Sequence, residues 1–269
     1  MKYKINFISG FKFSFDEITN VLCAIHEVEK ASKNASIISN FTAYNERKVK
    51  ILISYLIELE MIFKRNYQMT KLGQIVYEND RYIEDRGTIW ILHYILSSKE
   101  SLVIWNRLFN KILSTEYKNR EMMMKYFLDL KEELSEYTFN RNIRKEIKMI
   151  MDTYIYERFG TIGLINNEED KYSCNTNSSM PDLILLASIV YFRDKYYAGA
   201  SALNIKDICN SENSPGRLFF LDESYLRTKL ETMKRNGLIG IESRADLDQV
   251  RLGSDMTFEG VLEQYYKSL

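Results

Sequence analysis

Basic side chains in three stretches carry the chemistry this sequence offers, and it is the chemistry of gripping phosphate. Arg47, Lys48 and Lys50 stand together, with Lys64 and Arg65 a helix and a turn further on. Arg141, Arg144 and Lys148 recur at three- and four-residue steps with Lys145 among them, the spacing that places side chains on one helix face. Arg217, Arg227, Lys234 and Arg235 form a C-terminal set beside Lys229. Ammonium and guanidinium groups hold phosphate oxygens through charge-assisted hydrogen bonds, which makes these the candidate nucleic-acid contacts. The plainer use of such residues is solvated charge on an exposed face. For Arg217 it is a pair with Asp222 or with a backbone carbonyl.

Other chemistries find less support. Asp80, Glu84, Asp85 and His93 lie close in sequence, but not at a metal-ligand spacing, and a polar turn capping an aromatic helix needs the same residues. His93, flanked by Leu92 and Tyr94, is expected as a satisfied, partly buried histidine, and His26 likewise. Cys23, Cys174 and Cys209 are far apart and odd in number; Cys174 has no histidine or second cysteine nearby, and Cys23 and Cys209 sit in apolar helical contexts where a free cysteine acts as a small hydrophobe. A disulfide framework is not expected, and a reducing compartment fits. The chain contains no Gly-x-Ser-x-Gly elbow, no Walker A loop and no Gly-x-Gly-x-x-Gly fingerprint. Adjacent acids such as Glu132 and Glu133, or Glu168 and Glu169, are expected to face solvent. No catalytic, cofactor-binding or metal-ligating residue is assigned, and no cofactor is expected.

The elements that must position the basic residues are mostly helical. The 269 residues are 45% hydrophobic and 13% aromatic, with only 2 Pro and 11 Gly, which favours packed helices over Gly-rich barrels. Residues 5–10 alternate and then turn at Ser9-Gly10, the pattern of a short strand or arm. Ile18, Val21, Leu22, Ile25 and Val28 predict a helix over 16–31, Ile37, Ile38 and Phe41 a shorter one, and Val49, Leu52, Ile53, Leu56 and Ile57 a third over 46–59. A hairpin follows over 60–70 with Lys64, Arg65 and Asn66 at its tip. Helix, short helix, longer helix and hairpin is the order of a winged helix, whose third helix meets a DNA groove and whose wing meets phosphate.

Aromatic-rich helices are predicted over 83–113, 120–134 and 139–155. Met122, Tyr126, Leu130 and Leu134 recur at four-residue steps along the second, and Ile143, Ile147, Ile150 and Met151 are expected inward on the third. An apolar helix over 182–192, a helical turn over 203–209, a Pro215-Gly216 turn leading to a strand with Phe219 and Leu221, a helix over 224–236 capped by Ser224 and Gly237, and a hairpin over 238–252 repeat the winged pattern. The expected fold class is therefore mainly α with small β-hairpins, a helical bundle containing N-terminal and C-terminal winged-helix-like units. The expected domains are a winged-helix-like unit over 1–80, a helical middle over 81–165, a polar linker over 166–181 and a second winged-helix-like unit over 182–269.

Charge and targeting narrow the partners. Lys+Arg 37 balance Asp+Glu 37, so the chain is no polycation that holds nucleic acid by bulk charge. Double-stranded DNA held weakly, with a protein partner or a second copy adding contacts, is the expectation. Nothing reads as a signal peptide, and the apolar stretch 183–192 is too short to span a bilayer. A cytoplasmic protein without membrane contact is expected.

Residues 80–93 (DRYIEDRGTIWILH), 105–110 (WNRLFN) and 214–222 (SPGRLFFLD) resemble the signature blocks of a prokaryotic family known as domain of unknown function 4007. Residues 69–73, 152–154 and 162–165 agree more weakly, and the blocks run in order along most of the chain. The family's opening motif resembles Phe-x-Gly-His-Glu-x-Phe, whereas this chain reads Phe7-Ile8-Ser9-Gly10-Phe11-Lys12-Phe13, lacking the histidine and glutamate. The resemblance implies an association with phosphoadenosine phosphosulfate reductase-like proteins in phage-defence and DNA-modification clusters. The expected function is a non-enzymatic DNA-binding or adaptor subunit of such a bacterial system. The alternatives are a protein-binding scaffold with structural wings, or a defence nuclease or sulfur-handling enzyme component.

Overall fold

Short polar side chains start the helices. Asn34, Asn45, Thr70, Asp85, Asn119, Ser214, Asp222 and Thr257 each accept a hydrogen bond from a backbone N–H in the first turn that follows, satisfying donors that have no partner within the helix. The computed structural model describes residues 3–5, 7–8, 12–28, 34–176, 179–244 and 247–269. The strand-and-turn reading of 5–10 falls partly on Asn6, Ser9 and Gly10, and the end of the first expected helix on 29–31; these lie outside the described residues.

Helices α1 (Phe15–Glu27), α2 (Ala35–Thr42) and α3 (Glu46–Glu58) pack on one another. A tight turn follows, closed by the single antiparallel bridge between Ile62 and Met69. Helix α4 (Lys71–Asn79) then abuts that turn so closely that a Cβ on Gly73 would lie 1.9 Å from the Met61 carbonyl oxygen. Every residue of α5 (Arg86–Ser97) from Gly87 onward is buried, which makes it the central helix. It is flanked by α6 (Val103–Arg107), which runs on into a π-helical turn over Leu108–Ile112.

The helix predicted over 120–134 is shorter, and only the second half of its four-residue row, Leu130 and Leu134, meets the core. Helix α7 (Arg120–Met124) gives way to a 3-10 segment, Lys125–Lys131. The buried residues are Met123, Met124, Phe127 and Leu130, while Met122 and Tyr126 are exposed. The three-residue period of the 3-10 geometry aligns Met124, Phe127 and Leu130 on one side, a face the four-residue reading missed. A second π-helical turn, Thr138–Ile143, leads into α8 (Arg144–Tyr156), followed by a 3-10 turn over Arg158–Ile162.

The stretch read as a polar linker, 166–181, carries most of an antiparallel hairpin between β1 (Ile165–Glu168) and β2 (Lys171–Cys174). Asn166, Asn167 and Glu168 face solvent, but Tyr172, Ser173 and Cys174 are buried. Half of this hairpin is core, which composition alone conceals.

The C-terminal segment runs α9 (Asp182–Tyr196), β3 (Ala202–Asn204), α10 (Ile205–Asn210), α11 (Pro215–Leu218), α12 (Glu223–Arg235), β4 (Gly240–Arg244), β5 (Leu247–Arg251) and α13 (Phe258–Lys267). Its sheet is antiparallel in the order β3-β5-β4, with Arg251 opposite both Ala202 and Gly240. Two local readings change. Pro215 opens a helical turn capped by Ser214, so Phe219 and Leu221 reach the core without a strand. Asp222, rather than Ser224, caps α12, and the Ser224 hydroxyl donates to the Asp222 carboxylate instead. Gly237 takes the left-handed φ of 72° expected after that helix. The chain is mainly helical with small antiparallel sheets, and buried residues from Phe7 to Tyr266 join one core. Among the described residues no helix is long and apolar enough to cross a membrane.

Candidate nucleic-acid interface

The helical stretch beginning at Ser135 lines one cleft with several cations. Ser135 accepts from Thr138 N at 3.2 Å through its hydroxyl and from Phe139 N at 2.9 Å through its carbonyl. Beyond it, the π-turn and α8 place Tyr137, Arg141, Arg144, Lys145 and Lys148 along one open cleft of about 520 Å³, to which Arg120 comes from the start of α7. Glu136 is the acid among the lining residues. Arg144 pairs with Glu121 at 2.5 Å, tying α8 to α7, and Lys148 with Asp152 at 2.7 Å. Arg120, Arg141 and Lys145 form no ion pair among the described residues. The Arg141 guanidinium lies 5.3 Å from the centre of the Tyr137 ring. The opposite face of α8 is firmly seated: Ile147, Ile150, Met151 and Tyr154 are in the core, and buried Glu146 accepts from Phe7 N at 2.9 Å.

The N-terminal candidates separate into two kinds. Lys48 lies 2.6 Å from Glu17 and 4.3 Å from the centre of the Tyr44 ring, so it clamps α3 to α1. Lys50 pairs with Glu46 one turn back at 2.5 Å, and that hydrogen bond holds its ammonium above the usual range. Arg47 at the start of α3, and Lys64 and Arg65 at the hairpin tip, are exposed and form no ion pair among the described residues. Lys64 also borders a cleft of about 760 Å³ with Tyr191, Lys195 and Phe258.

The C-terminal cations are largely matched by nearby groups. The Arg217 Nε donates to the Asn110 carbonyl at 2.8 Å, the carbonyl use rather than the pair with Asp222. Arg227 bonds Asp248 at 2.7 Å, joining α12 to β5, and Lys229 holds Asp182 at 2.7 Å. Lys234 lies 3.7 Å from Glu231, and Arg235 donates to the Thr232 hydroxyl at 3.0 Å.

The profile of a family described as "Protein of unknown function (DUF4007)" matches residues 53–266, most of the chain. The chain belongs to the DUF4007 family. Two solved structures share the fold: "Magnesium ion-bound SspB crystal structure", at TM-score 0.79 and 13% identity, and "SspB crystal structure", at 0.77 and 14%. Each comparison covers 98% of this chain and 88% of the other. No curated protein matches the chain.

In this DUF4007 chain the three resembling blocks meet in the core. Asp85 caps α5 and accepts from the Tyr265 hydroxyl at 2.9 Å, and Thr88 meets the Tyr266 hydroxyl at 2.6 Å. His93 is fully buried; its Nε2 donates to the Leu218 carbonyl at 3.0 Å and its Nδ1 accepts from the Tyr154 hydroxyl at 2.5 Å. Burial pushes the imidazole down to about 3, so it stays neutral. The Trp105 indole N–H donates to that same Tyr154 oxygen at 3.3 Å. The blocks are thus joints between α5, α6 and α11. Among the described residues no three His, Cys, Asp or Glu side chains cluster where a metal ion would sit.

Sequence reasoning reached Arg141, Arg144 and Lys148 from their helical spacing. It passed over Tyr137, one turn before Arg141 on the same face, although that spacing was legible. Arg120 was not: it comes from another element across a non-local contact.

Proposed function

We propose that this DUF4007 protein is a DNA-binding or adaptor subunit of a bacterial phage-defence or DNA-modification system, working with a protein partner. The observation that carries this reading is the convergence of Arg120, Arg141, Arg144, Lys145 and Lys148 on one open cleft with a single lining acid. Such a surface attracts phosphate and releases counterions on binding. With no net charge on the whole chain, that patch has little long-range help. Binding is then weak alone and strengthened by a partner. The family resemblance supports the defence setting and the neighbouring reductase-like proteins.

A winged-helix-like unit at each end of the chain is part of the same proposal. The order α9, β3, α10, α11, α12, β4, β5 with a β3-β5-β4 sheet supports it at the C-terminal end. Helices α1, α2 and α3 with their one-bridge hairpin support a reduced version at the N-terminal end. The internal pairing of Arg227, Lys229 and Lys234 favours the cleft over the C-terminal wing as the main phosphate contact. One of the two similar structures is of magnesium ion-bound SspB.

The test is fluorescence anisotropy of the full chain against labelled DNA over a salt series. Affinity that falls with salt, and falls further in Arg141→Ala and Lys145→Ala, supports the reading. Flat anisotropy at micromolar protein and low salt removes DNA binding by this chain alone.

A further inference from the structure

Tyr137 is the feature of the cleft that phosphate binding does not account for. The residue is 61% exposed, although an aromatic side chain of that size gains from burial. It stands at the start of the helical stretch, a turn before Arg141, whose guanidinium 5.3 Å from the ring centre orients it. From there Arg144, Lys145 and Lys148 follow along the same cleft, about 16 Å of helix from first to last. A duplex offers phosphates to such a row, but its base faces are stacked on one another and closed to a tyrosine. An unpaired nucleotide has an open base face and a phosphate on either side. A basic track with an aromatic ring at its end is the arrangement that suits single strands.

From this geometry, and resting on the DNA-binding reading above, we infer that the cleft takes an unpaired stretch of DNA, with one base stacked on Tyr137. Arg120, Arg141 and Lys145, which have no acidic partner of their own among the described residues, then meet the flanking phosphates. The π-turn over Thr138–Ile143 sits directly after the tyrosine. It gives the backbone an extra residue in that turn, which sets the angle between the ring and the basic row. The recognition is tolerant of sequence, because every base has a stacking face.

The experiment uses the full chain, a labelled single-stranded oligonucleotide and the same sequence as a blunt duplex, at one low salt concentration. The single strand is expected to bind more tightly. Tyr137→Ala is expected to weaken it about tenfold and to leave the duplex within about twofold, while Tyr137→Phe retains wild-type binding. A single strand carrying 2-aminopurine reports stacking directly: its fluorescence should be quenched by the wild-type chain and not by Tyr137→Ala. Because that quenching is read on the unaltered protein, the inference does not depend on a variant folding. Equal affinity of the wild-type chain and Tyr137→Ala for the single strand, with no quenching, overturns the stacking inference. If Lys145→Ala still weakens both DNA forms, the DNA-binding reading survives that failure. No binding to either form overturns both, and leaves the cleft to an acidic protein surface.

Discussion

Asn213 and Asn110, 103 residues apart, hold each other by reciprocal hydrogen bonds: the Asn213 backbone N–H donates to the Asn110 side-chain oxygen at 2.7 Å, and the Asn110 amide donates back to the Asn213 side-chain oxygen at 3.0 Å. Asn106 adds a donor to that same oxygen at 2.7 Å, and the Tyr94 hydroxyl donates to the Asn213 carbonyl at 3.0 Å. The pair fastens the segment leading into α11 to the π-turn after α6. Asn213 also has a φ of 66°, a left-handed conformation that asparagine tolerates better than most residues.

Asn213→Ala should therefore destabilise the fold by about 2–4 kcal/mol, through strained backbone and unsatisfied buried amides. Asn213→Gly relieves the backbone and keeps the orphaned amides, so its loss should be smaller. Urea unfolding of the three proteins measures the order. Equal stability of wild type and Asn213→Ala would show that this joint does not hold the fold together.

Gly216→Ala tests the packing of the same segment. A Cβ there would lie 2.6 Å from the Cys209 Cα and 2.7 Å from its carbonyl oxygen, both backbone atoms that cannot swing aside. A loss of about 1–3 kcal/mol is expected, with the thermal midpoint as readout. Gly199→Ala is the contrasting case. No atom lies within 4 Å of its Cβ, and strain comes only from a φ of 83°.

His93 sets a pH dependence. Its pKa falls from 6.5 in the unfolded chain to about 3 when buried. Between those values the unfolded state binds the extra proton. Its contribution to stability is thus complete above about 6.5 and declines as pH drops toward 3, by about 1.4 kcal/mol per pH unit at most. Urea unfolding between pH 7.5 and about 5, above the main carboxylate range, should show this slope. His93→Gln should flatten it. An unchanged slope in that variant would assign the dependence to other groups.

Charge placement predicts which lysines matter for DNA. Lys145→Glu, in the cleft, should weaken duplex binding more than tenfold at low salt, and Lys145→Ala should lower the salt slope by about one. Lys229→Ala breaks the contact with Asp182 and the Met180 carbonyl. It should cost a little stability and leave the binding curve unchanged. The reverse ranking, in anisotropy titrations of both variants, would move the proposed interface to α12.

What the sequence by itself determined was local. Asp85 as the cap of α5, Gly237 after α12, the inward face of Ile147, Ile150 and Met151, and the shared face of Arg141, Arg144 and Lys148 all depend on residues within a turn or two of one another. Periodicity and capping act over that range, so they can be read along the chain. The mainly helical class followed from the same signals.

Tertiary structure decided the rest, for reasons of distance. Strand β3 has only three residues and exists because β5 pairs with it, Leu203 opposite Val250. The segment after Met124 turned its buried side to a three-residue period because Phe127 and Leu130 had a core to enter. Arg120 reaches the cleft because α7 packs against α8, and the Asn110–Asn213 pair forms only where the π-turn after α6 meets the distant loop before α11. None of these contacts leaves a pattern in the residues beside it, because the energy that selects each one comes from a partner far along the chain.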